Sequence, residues 1–198
     1  MSDTLSAIEF MDWESMKLAL DYLGQENPFR DQQYKFYLLV ELSGNMKEEQ
    51  MNDKMLSLID KLEGHYEDGL ICESESQIEK IWRIREGISL ATAHYGLTFK
   101  FDVSLSSNYF NDLVEKTQER VGHDGLVIGH GHIGDGNLHL NCAMKGFDNI
   151  ELAKKIQSRL QPFVFDYIKE KKGSISAEHG VGLQKTNFLG HTKSPEMI

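Results

Sequence analysis

Residues 129–141 read GHGHIGDGNLHLN, and the fold turns on how this stretch bends. Leu126, Val127 and Ile128 precede it as an apolar run, and Leu138 and Leu140 alternate with His139 and Asn141 after it. Asp135-Gly136 is a two-residue hairpin signal, because a type I′ turn needs φ > 0 at both central positions. A turn there sets Gly134 against Asn137, Ile133 against Leu138 and His132 against His139. Facing residues of an antiparallel pair project from the same side of the sheet. The stretch therefore predicts two imidazoles side by side, with Asn141 further along that face and His130 on the other arm.

Two facing imidazoles are half of a site for zinc or another first-row divalent metal, or else a cross-strand hydrogen-bonded pair. A second stretch bears on the choice. Residues 174–182 read SISAEHGVG, with small residues bracketing Glu178 and His179. Small residues permit a close backbone approach to something bound. A set of His132, His139 and Glu178 would supply three protein ligands and leave a coordination position open, as a substrate-binding metal requires.

Together, GHIGDGNLHLN and SISAEHGVG resemble the C-terminal domain of the FAD-linked oxidases of the vanillyl-alcohol-oxidase type. Within that family they are most similar to the D-2-hydroxyglutarate dehydrogenases. The similarity runs from LSAIEFMD at residues 5–12 to LGH at 189–191. It implies an antiparallel sheet with ferredoxin-like βαβ units, covered by helices. It implies oxidation of a D-2-hydroxy acid, D-2-hydroxyglutarate to 2-oxoglutarate, with hydride transfer to FAD; D-lactate is the alternative substrate. By the resemblance, Arg85, Ser89, Lys100, Asn141 and His179 match substrate-binding positions, and His132, His139 and Glu178 match metal ligands, with zinc the expected ion. Where the family has Thr, this chain has Ser89, which retains the hydroxyl. The family's flavin is held mainly by a separate N-terminal FAD-binding domain, so residues 1–198 read as the substrate and metal domain, a fragment lacking that domain and the family's last helix and without activity alone. The resemblance also implies an electron acceptor such as an electron-transfer flavoprotein, and a mitochondrial location in a eukaryote or a cytoplasmic one otherwise.

Elementary chemistry supports several of these roles. Arg85 falls inside the apolar stripe of a helix expected over residues 76–95, and an unpaired guanidinium there would be costly. It must find an anion, pair with a core carboxylate or reach water. Ser89 lies one turn on, on the same face. Lys100 is a second cation for an acidic ligand, or a solvated charge on a sheet face. His179 is the candidate general base, because imidazole titrates near neutral pH; it could instead only orient Glu178 or the substrate.

The rest of the chain fills in around the two motifs. Its 198 residues suffice for one domain with a sizeable core. A net charge of −10 argues against nucleic-acid or anionic-membrane binding. No apolar run approaches the 18 residues of a membrane span. Cys72 and Cys142 form no metal or redox spacing. Strands are expected over residues 5–11, 34–42, 70–72 and 97–105, and helices over Trp13–Leu23, 47–62, 109–121 and 150–171. Asp12 caps the first helix. The Met51, Met55, Leu58, Ile59, Leu62 stripe of the second helix reads as core, and Pro162 predicts a kink or break in the last. Amphipathic strands favour antiparallel pairing with helices over one face. No GxGxxG opens a helix, so a Rossmann site is not supported. Two rivals stand beside the dehydrogenase: a non-catalytic metal- or ligand-binding module, and a metal-dependent hydrolase.

Overall fold

The computed structural model describes residues 4–183 and 185–198. Five strands form one sheet in the order β2-β1-β4-β5-β3, with every pairing antiparallel. They are β1 (Leu5–Asp12), β2 (Phe36–Leu42), β3 (Gly96–Ser104), β4 (Leu126–His132) and β5 (Asn137–Lys145). The helices are α1 (Trp13–Leu23), α2 (Glu48–Lys61), α3 (Glu75–Tyr95), α4 (Phe110–Val121) and α5 (Ile150–Glu170). Strands β3 and β4 run parallel with β5 between them and are joined by α4, which is the split βαβ unit of a ferredoxin-like fold.

Helices cover both faces, not one. α4 and α5 close the face carrying Phe101, Val103, Leu138 and Leu140, and this is the larger core. α1 and α3 pack on the other face over Met11 and Ile128. Gly129 permits the first of these layers, because a Cβ there would lie 2.5 Å from Val114 Cγ2 of α4. Asp12 starts α1 as the sequence predicts. Its Oδ1 accepts from Ser15 N at 2.7 Å, and its Oδ2 accepts from Gly129 N at 2.6 Å, tying the cap to β4. Burial pushes this carboxyl up to about 6, against the pull of those hydrogen bonds.

Four further expectations need correction. The hairpin register is shifted by two: His130, not His132, lies opposite His139, and His132 lies opposite Asn137. The loop is 133–136. Asp135 turns its Oδ1 onto Asn137 N at 3.0 Å, and Gly136 O accepts from Leu105 N at 2.9 Å. The side-chain turn and the docking against Leu105 replace the two-residue type I′ bend. A shift of two preserves which face each side chain takes, since strand periodicity is two.

Residues 70–72 form no strand. The methionine-bearing stripe of α2 is not core: no residue of α2 is buried, Met51, Met55, Leu58 and Ile59 are half-buried, and Leu62, just beyond its end, is exposed. The helix has an amphipathic pattern, but the described residues supply it little to pack on. α5 runs unbroken through Pro162. Its buried face, including Ile156, Leu160, Val164 and Ile168, holds it against the core on both sides of the proline.

Candidate metal and acid-binding site

The face under α3 carries the polar residues of the strands. Register sets Lys100 beside Asn141, Asp102 beside His139, His139 beside His130, and His132 beside Glu9 of β1. Arg85, Ser89 and Thr92 descend from α3 above them. Between these elements is a cavity of about 160 Å³, lined by Arg85, Ser89, Lys100, Asn141, His132, His139 and His179 among others. The sequence-predicted residues are thus brought to one place from β3, β4, β5, α3 and the 174–182 loop. Glu178 stands beside the cavity, 44% of its side chain exposed.

Three predicted ligands converge. Donor atoms of His132, His139 and Glu178 all lie within 4.8 Å of one another. His132 Nε2 is 3.5 Å from Glu178 Oε1, and His139 Nε2 is 3.9 Å from Oε2. Two atoms each ~2.0–2.2 Å from one zinc ion are at most about 4.0–4.4 Å apart, so neither spacing exceeds what one cation can bridge. The opposite ring nitrogens face buried carboxylates. His132 Nδ1 is 2.9 Å from Glu9 Oε1, and His139 Nδ1 is 3.8 Å from Asp102 Oδ1. For His132, a proton held at Nδ1 by Glu9 leaves the Nε2 lone pair directed at Glu178; the His139–Asp102 contact is too long for a hydrogen bond. Burial lowers the His139 pKa, against the opposing pull of Asp102, and so favours the neutral ring a metal needs.

Asp102 organises the loop that carries Glu178. Its Oδ2 accepts from the backbone N–H of Ala177, Glu178 and His179 at 3.1, 2.9 and 2.8 Å. Ser104 and Ser174 exchange two backbone hydrogen bonds at 2.9 and 2.7 Å, pinning the loop's start to β3. Burial pushes the Asp102 carboxyl up, but the His179 and Glu178 N–H groups and the charges of His179 and Lys185 outweigh it, and its pKa falls below the ordinary value. Asp102 Oδ1 is buried without a hydrogen-bond partner among the described residues. An orphaned oxygen beside His139 is what a ring turned slightly by a bound cation would satisfy.

Arg85 has found its anion inside the protein. Its Nη2 and Nε lie 2.7 and 2.9 Å from Glu9 Oε2, and both residues are buried. That contact uses two of five N–H donors. Lys100 makes no ion pair among the described residues and lines the cavity. Asn141 is buried on the floor. The His179 ring stacks on His139 at 5.4 Å and 16° at the exposed side. His130 is fully buried, its Nδ1 without a partner, and burial together with the Arg85 charge holds its pKa well below the usual value.

Sequence reasoning missed Glu9, Asp102 and Lys185. Each left a signal: Glu9 interrupts the apolar run of β1, and Asp102 lies between Phe101 and Val103 on the same parity as Lys100. Lys185 Nζ, 3.2 Å from Asp102 O, left only its nearness to the 174–182 stretch.

The cavity is small beside the roughly 300–1,000 Å³ pockets that enclose drug-sized ligands. Its size suits a small acid.

Comparison with known proteins agrees with this architecture. The sequence model of the family described as FAD linked oxidases, C-terminal domain, matches residues 1–198. A protein of Oryza sativa subsp. indica, bearing the name of a mitochondrial D-2-hydroxyglutarate dehydrogenase, is 39% identical over 200 residues, covering 100% of this chain and 35% of the relative. A Schizosaccharomyces pombe protein, bearing the name of a mitochondrial D-lactate dehydrogenase, is 40% identical over 213 residues, covering 100% of this chain and 39% of the relative. The chain thus spans about a third of the length of these curated relatives. Among solved structures, 4-ethylphenol oxidase from Gulosibacter chungangensis, in its isoeugenol complex, shares the fold. Its TM-score is 0.54 at 11% identity, over 92% of this chain and 41% of the other.

Proposed function

The chain belongs to the C-terminal-domain family of the FAD linked oxidases, and from that premise we propose that residues 1–198 are the substrate- and metal-binding domain of a flavin-dependent D-2-hydroxy acid dehydrogenase. The proposed reaction is D-2-hydroxyglutarate to 2-oxoglutarate, with FAD as the hydride acceptor. The flavin itself would be held mainly by the separate FAD-binding domain. The observation that carries the reading is the convergence of His132, His139 and Glu178 at the mouth of a cavity that also holds Arg85 and Lys100.

His132, His139 and Glu178 would hold a divalent cation, zinc by donor type. Bound there, such an ion supplies Lewis acidity that lowers the pKa of a 2-hydroxy group. Lys100 and the remaining N–H donors of Arg85 hold carboxylate oxygens. Asn141 and Ser89 add neutral hydrogen bonds that fix orientation. His179 takes the hydroxyl proton as the α-hydrogen leaves with its electron pair. The stacked His139 ring and the Asp102 contact to its own N–H hold His179 at the cavity edge. The mitochondrial names of the relatives carry over as the proposed compartment in a eukaryotic cell.

One observation favours a second reading. With Arg85 committed to Glu9, Lys100 is left as the cavity cation without an internal anion, which suits a monocarboxylate such as D-lactate. Metal analysis together with calorimetric titration of D-2-hydroxyglutarate and D-lactate, on the chain and on His132→Ala, separates the readings. The proposal predicts bound metal, tighter binding of the dicarboxylate, and loss of both in the variant. Metal content unchanged in His132→Ala would refute the ligand set. Flavin-dependent turnover by residues 1–198 alone would refute the division of labour.

A further inference from the structure

Glu9 is buried to 6% exposure in the middle of β1 and touches two groups from different parts of the site. Its Oε2 accepts from Arg85 Nη2 and Nε, and His132 Nδ1 lies 2.8 Å from the same Oε2 and 2.9 Å from Oε1. The β1–β4 register places it directly beside His132, and α3 lowers Arg85 onto it from above. A carboxylate in this position costs desolvation, and an apolar residue would pack there more cheaply. Nothing in the sheet's own stability calls for it.

We propose that Glu9 is a positioning residue that couples the acid-binding arginine to the metal ligand, orienting His132 through Nδ1 and Arg85 through its guanidinium edge with one side chain. The inference rests on the metal reading of His132, His139 and Glu178. Outer carboxylates of this kind fix the ligand's tautomer and ring angle and raise its basicity, and their loss weakens metal binding ~10–100-fold. Glu9 differs from an ordinary outer carboxylate in being shared. Arg85 and His132 meet at the same oxygen, Oε2, so a shift of Arg85 towards a bound acid changes the charge that faces His132. Acid and metal therefore strengthen each other's binding through Glu9.

The test is competition of Zn²⁺ against a chromophoric chelator, with and without D-2-hydroxyglutarate. The proteins are the wild-type chain, Glu9→Gln, the double variant Glu9→Gln/Arg85→Met, and Ile88→Val as a core-weakened control from the same helix. The double variant strands no buried guanidinium, so it decides the matter if Glu9→Gln does not fold. Zn²⁺ affinity is expected to fall about 10–100-fold in the Glu9 variants, by analogy with other outer-shell partners, and to stay at the wild-type value in Ile88→Val. The acid is expected to tighten Zn²⁺ binding in the wild type and not in the Glu9 variants. Wild-type Zn²⁺ affinity in a folded Glu9 variant, or an equal drop in Ile88→Val, would overturn the role of Glu9. A wild-type chain that takes up no Zn²⁺ overturns the metal reading instead, and with it this inference.

Discussion

On the face of the sheet that meets α4 and α5, β3 and β5 present Phe101, Val103, Leu138 and Leu140; one residue along, towards α3, the same strands present Lys100, Asp102, His139 and Asn141. In the second set Asp102 and Asn141 are buried, His139 is half-buried and Lys100 is exposed, and only the first set is buried because burial stabilises it. Removing Leu138 or Leu140 from water contributes roughly 1.5–3 kcal/mol each. Removing Asp102, Arg85 and Glu9 from water costs free energy that their mutual contacts offset only in part. A sheet that places its charges under one helix and its apolar residues under the others has separated stability from chemistry by the two-residue period alone. That separation makes the faces independently breakable, and each prediction below tries to break it.

The largest expected effect is on the polar face. Glu178→Ala or His139→Ala removes a direct ligand. Zn²⁺ affinity should fall by more than the ~10–100-fold that outer partners are worth, with little change in thermal midpoint of the metal-free chain. Calorimetric Zn²⁺ titration and a melting curve read the two quantities separately. On the apolar face, Leu140→Ala should cost about 2–5 kcal/mol in denaturant unfolding and leave the Zn²⁺ affinity of the folded fraction intact. If Leu140→Ala weakened metal binding as strongly as Glu178→Ala, the two faces would not be independent.

Next comes acid recognition. Lys100→Met should weaken D-2-hydroxyglutarate binding by about 10–100-fold, the worth of one hydrogen bond to a charged group, with Zn²⁺ uptake retained. Asp102→Asn lies between the faces in effect, because its oxygens serve the backbone of residues 177–179. The sign of its pH dependence follows from its lowered pKa. Its contribution is present above the unfolded-state value near 4 and is lost as pH falls through the lower folded value. Below about pH 4 the 177–179 turn should loosen in the wild type, and Asp102→Asn should show that looseness already at neutral pH; amide exchange of His179 N–H measures both. Smallest of all, Met55→Ser on α2 should change stability by no more than about 1 kcal/mol, because no residue of that helix is fully buried and Met55 is only half-buried. A loss of several kcal/mol there would mean α2 has a partner.

The two faces also differ in how they could be read from the chain. Parity was legible: alternation in residues 126–145 assigns every side chain to its face, and an error of two in register leaves that assignment intact. The register itself was not, because Asp135 satisfies Asn137 N with its side chain and Gly136 docks on Leu105, contacts that local turn preference does not contain. Asp12 as a helix cap was a local signal and was read correctly, whereas Ser74, whose side chain accepts from Gln77 N to cap α3, was not read. The α2 stripe misled because periodicity states that a helix has an apolar side, not that something lies against it. Glu9 and Asp102 escaped notice because a charge in an alternating strand ordinarily faces water. Only the third dimension shows that α3 covers that face, and Arg85, in the apolar stripe of α3, was the one sequence feature demanding a buried anion.

The central claim is that one cation is shared by His132, His139 and Glu178. X-ray absorption at the zinc edge of the Zn²⁺-loaded chain tests it most directly. The account predicts two imidazole nitrogens and carboxylate oxygen at about 2.0–2.2 Å, falling to one imidazole in His139→Ala. A zinc shell containing sulfur at about 2.3 Å, or two imidazoles persisting in His139→Ala, would contradict it.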